Sequence, residues 1–182
     1  MVDPKAHPVS PGVTLRPWSA SGLDLLRRCN VPEMMLHLGG PESDEALVAR
    51  NEKYLALWQS GEAHKFQVFA DDASDPVAMV GYWDSIWRES PILEMGWSTA
   101  PEHQGKGYAT RAIVAALEYA SQSGAPREMH AFPSVENLPS NAVCRKAGFI
   151  LAGESEFEYP PGDKMQCNDW VYDLSSGQQA TR

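Results

Sequence analysis

The sequence has few basic residues and few cysteines, and each shortage argues against a class of protein. Lysine and arginine number 15 against 24 aspartate and glutamate residues, which gives a formal net charge of −9. A nucleic-acid-binding protein needs a basic face, so this balance disfavours that class and favours a cationic or neutral partner. The three cysteines, Cys29, Cys144 and Cys167, form no CxxC pair. An odd number of cysteines without a leader peptide predicts a reducing compartment.

Long hydrophobic runs are also missing. No stretch approaches the roughly 18 apolar residues that a membrane span requires, and the first residues, MVDPKAHPVSPGV, lack the apolar core of a secretory leader. We therefore expect a cytoplasmic protein that binds neither membrane nor nucleic acid. What is present suffices for a core, since 43% of the 182 residues are hydrophobic, and the length fits one domain.

The hydrophobic pattern predicts a flexible N-terminal arm at 1–12, one folded domain at 13–174 and a disordered tail at 175–182. The domain pattern predicts strands and helices in this order: strand 13–18, helices 19–30 and 41–61, strands 65–72, 76–87 and 91–100, helix 104–124, strand 127–134, helix 137–149, and strands 150–160 and 167–174. A meander that leads into a β-α-β unit favours a mixed α/β (α+β) fold. We expect a central, mostly antiparallel mixed sheet of six to seven strands with about four flanking helices.

A glycine-rich segment, HQGKGYATR, lies between a predicted strand and a predicted helix. Glycines let backbone N–H groups approach a ligand closely, and a helix start favours an anion there. The nucleotide P-loop requires GxxxxGK followed by Ser or Thr, but Gly107 follows Lys106. The dinucleotide fingerprint requires a third glycine where Thr110 stands. A third pattern fits, namely Gln or Arg, two residues, Gly, one residue, and Gly or Ala, as in Gln104–Ala109.

Two motifs together resemble the GNAT superfamily of acyl-CoA-dependent N-acyltransferases. The first is Gln104–Ala109, and the second is VENLPSNAVCRKAGF, which has the family's arrangement of Asn137, Ser140, Val143, Lys146, Gly148 and Phe149. The resemblance covers about 13–174 and is most similar to the ribosomal-protein alanine N-acetyltransferases. It implies one GNAT-type domain with acetyl-CoA as co-substrate and no metal. The implied reaction is direct attack of a primary amine in a ternary complex, and related proteins often form homodimers.

The resemblance also implies which residues hold the acyl donor. The backbone of Trp97, Ser98 and Thr99 would pair with pantetheine like an added strand, and Asn137 would contact the pantetheine arm. The pyrophosphate would be wrapped by the six loop residues, Gln104, Gly105, Lys106, Gly107, Tyr108 and Ala109. A non-catalytic acyl-CoA-binding module is the alternative from another class, because the loop alone does not require turnover.

The catalytic candidates follow from thioester aminolysis, which needs a base for the amine and a proton for the leaving sulfur. Glu94 lies in the otherwise apolar strand ILEMGW, where burial would raise its pKa, and its alternative role is a salt-bridged structural acid. Ser140 is the first candidate for the sulfur's proton, and its alternative role is a helix cap. Cys144 stands where many family members have a tyrosine, and it is either the second proton donor or a small buried side chain. His130 is a base or, more in keeping with its surroundings, a core histidine.

The acceptor is predicted to be a small-molecule amine or an exposed protein N-terminus. Aromatic or pliable side chains are candidates for the acceptor wall, although core packing would explain them as well: Met34, Met35, Trp83, Trp87, Phe132 and Tyr159. Asp84 and Glu89 are acids that could attract an amine. His37 lies in the region that lines the acceptor site in related folds, and its alternative role is a surface or loop histidine.

Overall fold

The computed structural model describes residues 9–122, 128–158, 162 and 164–175, which form one sheet and its covering helices. The strands are β1 Val9–Ser10, β2 Val13–Pro17, β3 Ala63–Ala70, β4 Ala78–Trp87, β5 Ser90–Thr99, β6 Glu128–Ala131, β7 Ile150–Glu158 and β8 Lys164–Asp173. The helices are α1 Gly22–Cys29, α2 Pro32–Met35, α3 Asp44–Ser60, α4 Tyr108–Ser121 and α5 Leu138–Lys146, with one turn of 3₁₀ helix at Pro101–His103. No helix in these ranges combines the length and the hydropathy needed to cross a membrane.

The sheet has the order β1-β2-β3-β4-β5-β6-β8-β7. Its first five strands form an antiparallel meander, β6 joins β5 in parallel, and β8 and β7 close the sheet in antiparallel pairs. The parallel pairing covers only Leu93 with Met129 and Glu94 with His130, although β5 continues to Thr99. A strand edge without a neighbour leaves backbone N–H and C=O groups unpaired. The sheet therefore opens between β5 and β6 beyond Glu94.

Helices cover the two faces of the sheet in separate layers. On one face, α4 buries a small-residue stripe that includes Ala112, Ile113 and Ala116, and the core there also contains Cys144 of α5. On the other face, α1 and α3 build a second cluster around Trp18. Because α1 and α3 lie over the first half of the sheet, Trp83, Glu94 and Phe132 on that face of β4–β6 stay half-buried. We call the partly uncovered surface along these side chains the groove.

Helix α3 shows how local sequence fixes an element. Its N-cap Ser43 accepts a hydrogen bond at 3.3 Å from the backbone N–H of Ala46, which satisfies one of the free N–H groups of the first turn. Asp44 and Glu45 in that turn complement the helix dipole. The helix ends at Gly61, whose φ of 78° is left-handed, and glycine adopts this conformation at little cost.

The predicted fold class is confirmed, with differences in detail. The sheet has eight strands, or seven without the two-residue β1, and the described residues form five α-helices rather than about four. The unpredicted helix is α2, whose four residues are too few for a periodic pattern. The predicted arm at 1–12 is wrong for its last four residues, because β1 pairs with β2 through a turn at Gly12. Residues 1–8 and 176–182 lie outside the described ranges, so the arm and the tail stay predictions there.

Candidate active site

The glycine-rich segment leads directly into α4 and leaves a run of backbone donors free. Gly105 and Gly107 have left-handed φ values of 74° and 77°. The first hydrogen bond at the helix start is donated by the Arg111 N–H to the Gly107 carbonyl at 3.2 Å. In the described part of the chain, the N–H groups of residues 105–110 therefore have no acceptor. Exposed donors at a helix N-terminus are an arrangement that binds anions.

Arg111 supports this segment from within the helix, and sequence reasoning missed it. Its Nη2 donates to the Lys106 carbonyl at 2.7 Å, and its guanidinium lies 5.0 Å from the ring centroid of Tyr108. A Cβ on Gly12 would lie 2.7 Å from Arg111 Nη1, so the first hairpin turn also packs closely on this side chain. The available signal was a basic residue in the first turn of a helix, where the macrodipole opposes it.

The strand edge beside this loop is free to pair with a ligand. Trp97, Ser98 and Thr99 are half-buried on β5 beyond its last pair with β6. Gln104 Nε2 donates to the Thr99 carbonyl at 3.4 Å and so links the end of β5 to the loop. The geometry thus joins an extended edge of backbone donors and acceptors to an anion site, which suits a ligand that carries both amides and a diphosphate.

Glu94 lies where β5 and β6 separate, with Trp83 and His130 as its cross-strand neighbours. Its Oε2 accepts a hydrogen bond from Ser85 Oγ at 3.1 Å. Burial raises the pKa of Glu94, and hydrogen bonds from Ser85 and Trp83 partly oppose that rise. No salt bridge within the described residues includes Glu94. The environment is therefore that of a half-buried acid that can take up a proton.

The three α5 candidates have different surroundings. Asn137 caps the helix, since its Oδ1 accepts from the Ser140 N–H at 3.1 Å. The half-buried Ser140 hydroxyl makes no hydrogen bond in the described part of the chain, so Ser140 is not the capping side chain. Cys144 is fully buried in the core, and burial raises the pKa of its thiol to about 12. Such a thiol is a poor proton donor and a poor nucleophile.

Sequence reasoning also missed Asn141, which ties α5 to the sheet. Its Nδ2 donates to the carbonyls of Ser134 and Asn137 at 2.9 and 2.8 Å. Its Oδ1 accepts from Asn168 Nδ2 at 2.7 Å and from Trp170 Nε1 at 2.8 Å. Four hydrogen bonds to a buried amide fix the position of α5, and therefore of Ser140, relative to β8.

Two of the predicted acceptor residues form one aromatic wall. The ring centroids of Trp87 and Phe132 lie 4.6 Å apart, and Phe132 stacks on His130 at 5.7 Å. Trp87 Nε1 donates to Asp169 Oδ2 at 2.9 Å, while Asp169 Oδ1 lies 2.7 Å from His130 Nδ1. His130 is thus a buried, hydrogen-bonded core histidine that helps hold the wall in place.

Met35 lies at a different part of the groove. It lines a small pocket of about 30 Å³, open to solvent, between the α1–α3 layer and the end of β5. The lining residues are Leu26, Cys29, Asn30, Met35, Leu38, Leu47, Arg50, Met79 and Ser98. Trp83 lies between this pocket and Glu94 on the sheet face, whereas Asp84 and Glu89 are exposed on and beyond β4. Tyr159 lies outside the described residues.

No group of three or more His, Cys, Asp or Glu side chains in the described ranges is arranged to hold a metal ion. Backbone N–H groups at the loop, a raised-pKa carboxyl at the opening and a free hydroxyl on α5 are compatible with acyl transfer to an amine.

Comparisons with known proteins agree with this geometry. The ribosomal-protein-serine acetyltransferase of Escherichia coli K12 is 31% identical over 97 residues, which are 53% of this chain and 52% of that protein. An uncharacterized N-acetyltransferase of Bacillus subtilis is 30% identical over 108 residues, 59% of each protein. The chain thus spans about half to three fifths of the length of these curated relatives.

Solved structures share the fold over nearly the whole chain. The ligand-free crystal structure of RimL, a ribosomal-protein alpha-N-acetyltransferase, has a TM-score of 0.75 at 24% identity and covers 91% of this chain and 92% of its own. RimL in complex with coenzyme A has a TM-score of 0.74 at 22% identity, with 91% and 96% covered. The family model described as "Acetyltransferase (GNAT) domain" matches residues 13–150. The chain belongs to the GNAT acetyltransferase family.

Proposed function

We propose that this protein is an acetyl-CoA-dependent N-acetyltransferase that acts on a primary amine in the cytoplasm. The observation that carries the proposal is the run of free N–H groups at residues 105–110, beside the opening between β5 and β6. The E. coli relative is named as an acetyltransferase, and the RimL structure was determined with coenzyme A, which supports the choice of donor.

The donor would lie across the loop and the free edge of β5. Its pyrophosphate would accept hydrogen bonds from the backbone of the loop, with Arg111 holding the loop in shape. Its pantetheine amides would pair with the backbone of Trp97, Ser98 and Thr99. The residues proposed to bind the pyrophosphate are Gln104, Gly105, Lys106, Gly107, Tyr108 and Ala109. Asn137, which caps α5, is proposed to reach the pantetheine arm from the opposite side.

The proposed reaction is direct attack by the amine on the acetyl carbon. Glu94, directly or through a water, accepts a proton from the acceptor ammonium, and for a lysine-like amine this deprotonation costs about 4–5 kcal/mol at neutral pH. The C–N bond then forms and the C–S bond breaks, and the leaving sulfur takes a proton from the Ser140 hydroxyl. The nitrogen loses its second proton to Ser140, directly or through a water, which restores the hydroxyl. An acetyl-cysteine intermediate is disfavoured, because the Cys144 thiol is buried and its pKa is raised to about 12.

The acceptor would occupy the groove between the aromatic wall and the Met35 pocket. A small-molecule amine and the N-terminus of a protein both fit a groove that is open at the sheet face. The net charge of −9 favours a cationic or neutral acceptor over an anionic one. The proposed partners are an amine acceptor and a second copy of the chain in a homodimer, with neither nucleic acid nor membrane, and a homodimer would leave the proposed chemistry unchanged.

Thermal unfolding with acetyl-CoA, coenzyme A, ATP and NAD in parallel tests the donor. A ligand at about 100 times its dissociation constant should stabilise the protein by about 2.7 kcal/mol. We expect the melting temperature to rise with acetyl-CoA and coenzyme A, and not with ATP or NAD. The absence of a shift with either coenzyme A species would contradict the donor site. Binding followed by no thiol release with any amine in a broad panel would support the non-catalytic acyl-CoA-binding module instead.

A further inference from the structure

A lysine in the middle of β3 lies in an environment that sequence reasoning did not anticipate. The Lys65 ammonium lies 3.7 Å from the ring centroid of Trp83 and 5.0 Å from that of Tyr54. In the described part of the chain it has neither a hydrogen bond nor an ion pair. Burial lowers the pKa of Lys65 to about 7. The side chain is half-buried. The cost of a cation partly removed from water is offset by the two ring contacts or by loss of its proton, and an anionic ligand would favour the charged form.

Two glycines make room for this arrangement. Gly81 of β4 pairs with Lys65, and a Cβ on Gly81 would lie 2.4 Å from the Lys65 Cδ atom and 2.8 Å from the His64 carbonyl oxygen. Gly96 of β5 pairs with Gly81, and a Cβ there would lie 3.3 Å from the Trp83 indole. Larger side chains at these positions would displace Lys65 or Trp83. The position of the ammonium is thus built into the sheet.

Strand register places Lys65 on the same sheet face as Glu94. Lys65 pairs with Gly81, Trp83 lies two residues further along β4, and Trp83 pairs with Glu94. Side chains two residues apart in a strand, and side chains at paired positions, share one face. Lys65 and Glu94 therefore border the same groove, with the Trp83 indole between them.

Charge is distributed unequally along this groove. Glu94 supplies a carboxyl at one end, and it raises the pKa of Lys65. Lys53 and Arg50 of α3 are near enough to lower the pKa of Lys65. Arg50 forms an ion pair with Glu42, whereas Lys65 has no carboxylate of its own. The groove thus offers a site for a cation at Glu94 and a site for an anion at Lys65.

We propose that Lys65 binds a carboxylate of the acceptor while Glu94 receives its amine, so that the acceptor is an amino acid or a molecule with the same amino-carboxylate arrangement. This rests on the proposed acetyltransferase function. A zwitterion carries no net charge, so the net charge of −9 does not oppose its approach. A simple alkylamine would leave the Lys65 ammonium unpaired in the groove. Trp83 and the aromatic wall would contact the remainder of the acceptor.

The test compares amino acids with the matching amines that lack the carboxylate. Three pairs are compared: alanine and ethylamine, leucine and isoamylamine, and phenylalanine and phenethylamine. Phenylalanine amide is added because its carboxamide keeps the carbonyl of the carboxylate without its charge. Thiol release at saturating acetyl-CoA gives kcat/KM for each. Wild type should prefer at least one amino acid over its amine by about tenfold or more, since a charge-assisted bond is lost with the carboxylate.

The variant Lys65→Met should reduce that preference by about tenfold. Dividing the wild-type preference in kcat/KM by the variant's preference cancels the difference in intrinsic nucleophilicity between each amino acid and its amine. Lys53→Met removes the same charge from an exposed position of α3. Because exposed charges act weakly through solvent, this control should change the preference by less than about twofold. Melting temperatures of both variants check that they are folded.

The outcomes separate this proposal from the proposed function. Equal loss on amino acids and amines in Lys65→Met would overturn the carboxylate site, and so would turnover restricted to amines or protein N-termini. If phenylalanine amide matches phenylalanine in wild type, Lys65 recognises a carbonyl and the carboxylate assignment is wrong. If coenzyme A binds but no amine of any kind is acetylated, the acetyltransferase function fails first.

Discussion

The role of an individual residue can be predicted from the sequence only where its contacts are with residues close to it in the chain. Asn137 and Ser140 are three apart at a helix start, so a capping contact was foreseeable, but the sequence could not decide which side chain makes it. Cys144 became a poor proton donor through burial, which depends on how α5 packs. Lys65 was missed because a lone lysine in KFQVFADD is typical of an exposed strand position. The pairing of Lys65 with Gly81, which places its side chain beside Trp83, is visible only in the structure.

Glu94→Gln should lower kcat by about 100-fold or more, the usual range for loss of a general base. Since burial raises the pKa of Glu94, wild-type kcat/KM should increase with pH through that raised pKa, and the variant should lose this dependence. Rates from pH 5 to 9 provide the measurement. Glu118→Gln, an exposed change on α4, is the control and should retain the wild-type profile. An unchanged profile in Glu94→Gln would exclude Glu94 as the base.

Ser140→Ala and Cys144→Ala should separate chemistry from packing. Ser140→Ala should lower kcat by about tenfold or more, because the sulfur's proton donor is lost, while coenzyme A affinity and stability stay near wild type, since the Asn137 cap uses the Ser140 backbone. Cys144→Ala should instead lower unfolding stability by about 1–2 kcal/mol through a small core cavity. Steady-state kinetics and urea denaturation measure both. A larger kcat loss in Cys144→Ala than in Ser140→Ala would reverse the assignment.

Secondary-structure elements were predicted well where a pattern was long and poorly where it was short. The apolar stripe of α4 and the alternation in β3 and β4 fixed these elements, whereas α2 and β1 are too short to show a period. The resemblance implied that the backbone of Trp97, Ser98 and Thr99 pairs with pantetheine, but the opening between β5 and β6 was not predicted, because a sequence pattern does not reveal where parallel pairing stops. The parallel pairing of β5 with β6 ends at Glu94, and the site lies beyond that end.

Gly107 allows an element-scale test with a matched control. Gly107 and Gly61 have nearly equal φ values of 77° and 78°, at the start of α4 and the end of α3. Alanine at either position should lower unfolding stability by about 1–2 kcal/mol, because L side chains are strained in this region. Only Gly107→Ala should also weaken coenzyme A binding, by tenfold or more, since the strained turn re-aims the loop donors. Calorimetric titration measures the coenzyme A affinity of both variants. Equal affinities in Gly107→Ala and Gly61→Ala would place the diphosphate elsewhere.

At the scale of the whole molecule, the sheet divides the protein into two functional faces. The face under α4 and α5 contains the main core, and the opposite face is left partly uncovered by α1 and α3. Composition and element order predicted a mixed sheet with helices on both sides. They did not predict that acidic, basic and aromatic groups from β3 to β6 would meet on one face, since this depends on long-range register.

This meeting of charges also predicts how the stability of the whole protein depends on pH. The pKa of Lys65 is about 7 in the folded protein against an ordinary value of 10.5. Between these values the unfolded chain binds more protons at this position, so Lys65's contribution to the free energy of unfolding rises with pH and is least favourable below about pH 7. Lys65→Met removes this contribution. Relative to wild type, the variant should therefore be more stable at pH 7, and the difference should shrink toward pH 10.

Urea denaturation at pH 7, 8, 9 and 10 measures that difference directly, because all other titrating groups are common to both proteins. Lys53→Met is exposed, so its stability should follow wild type in parallel across the same range. Parallel curves for Lys65→Met as well would mean that the ammonium is solvated in the folded protein. Binding of a carboxylate at Lys65 would then gain little over water, and the groove would lose its distinction between amino acids and simple amines.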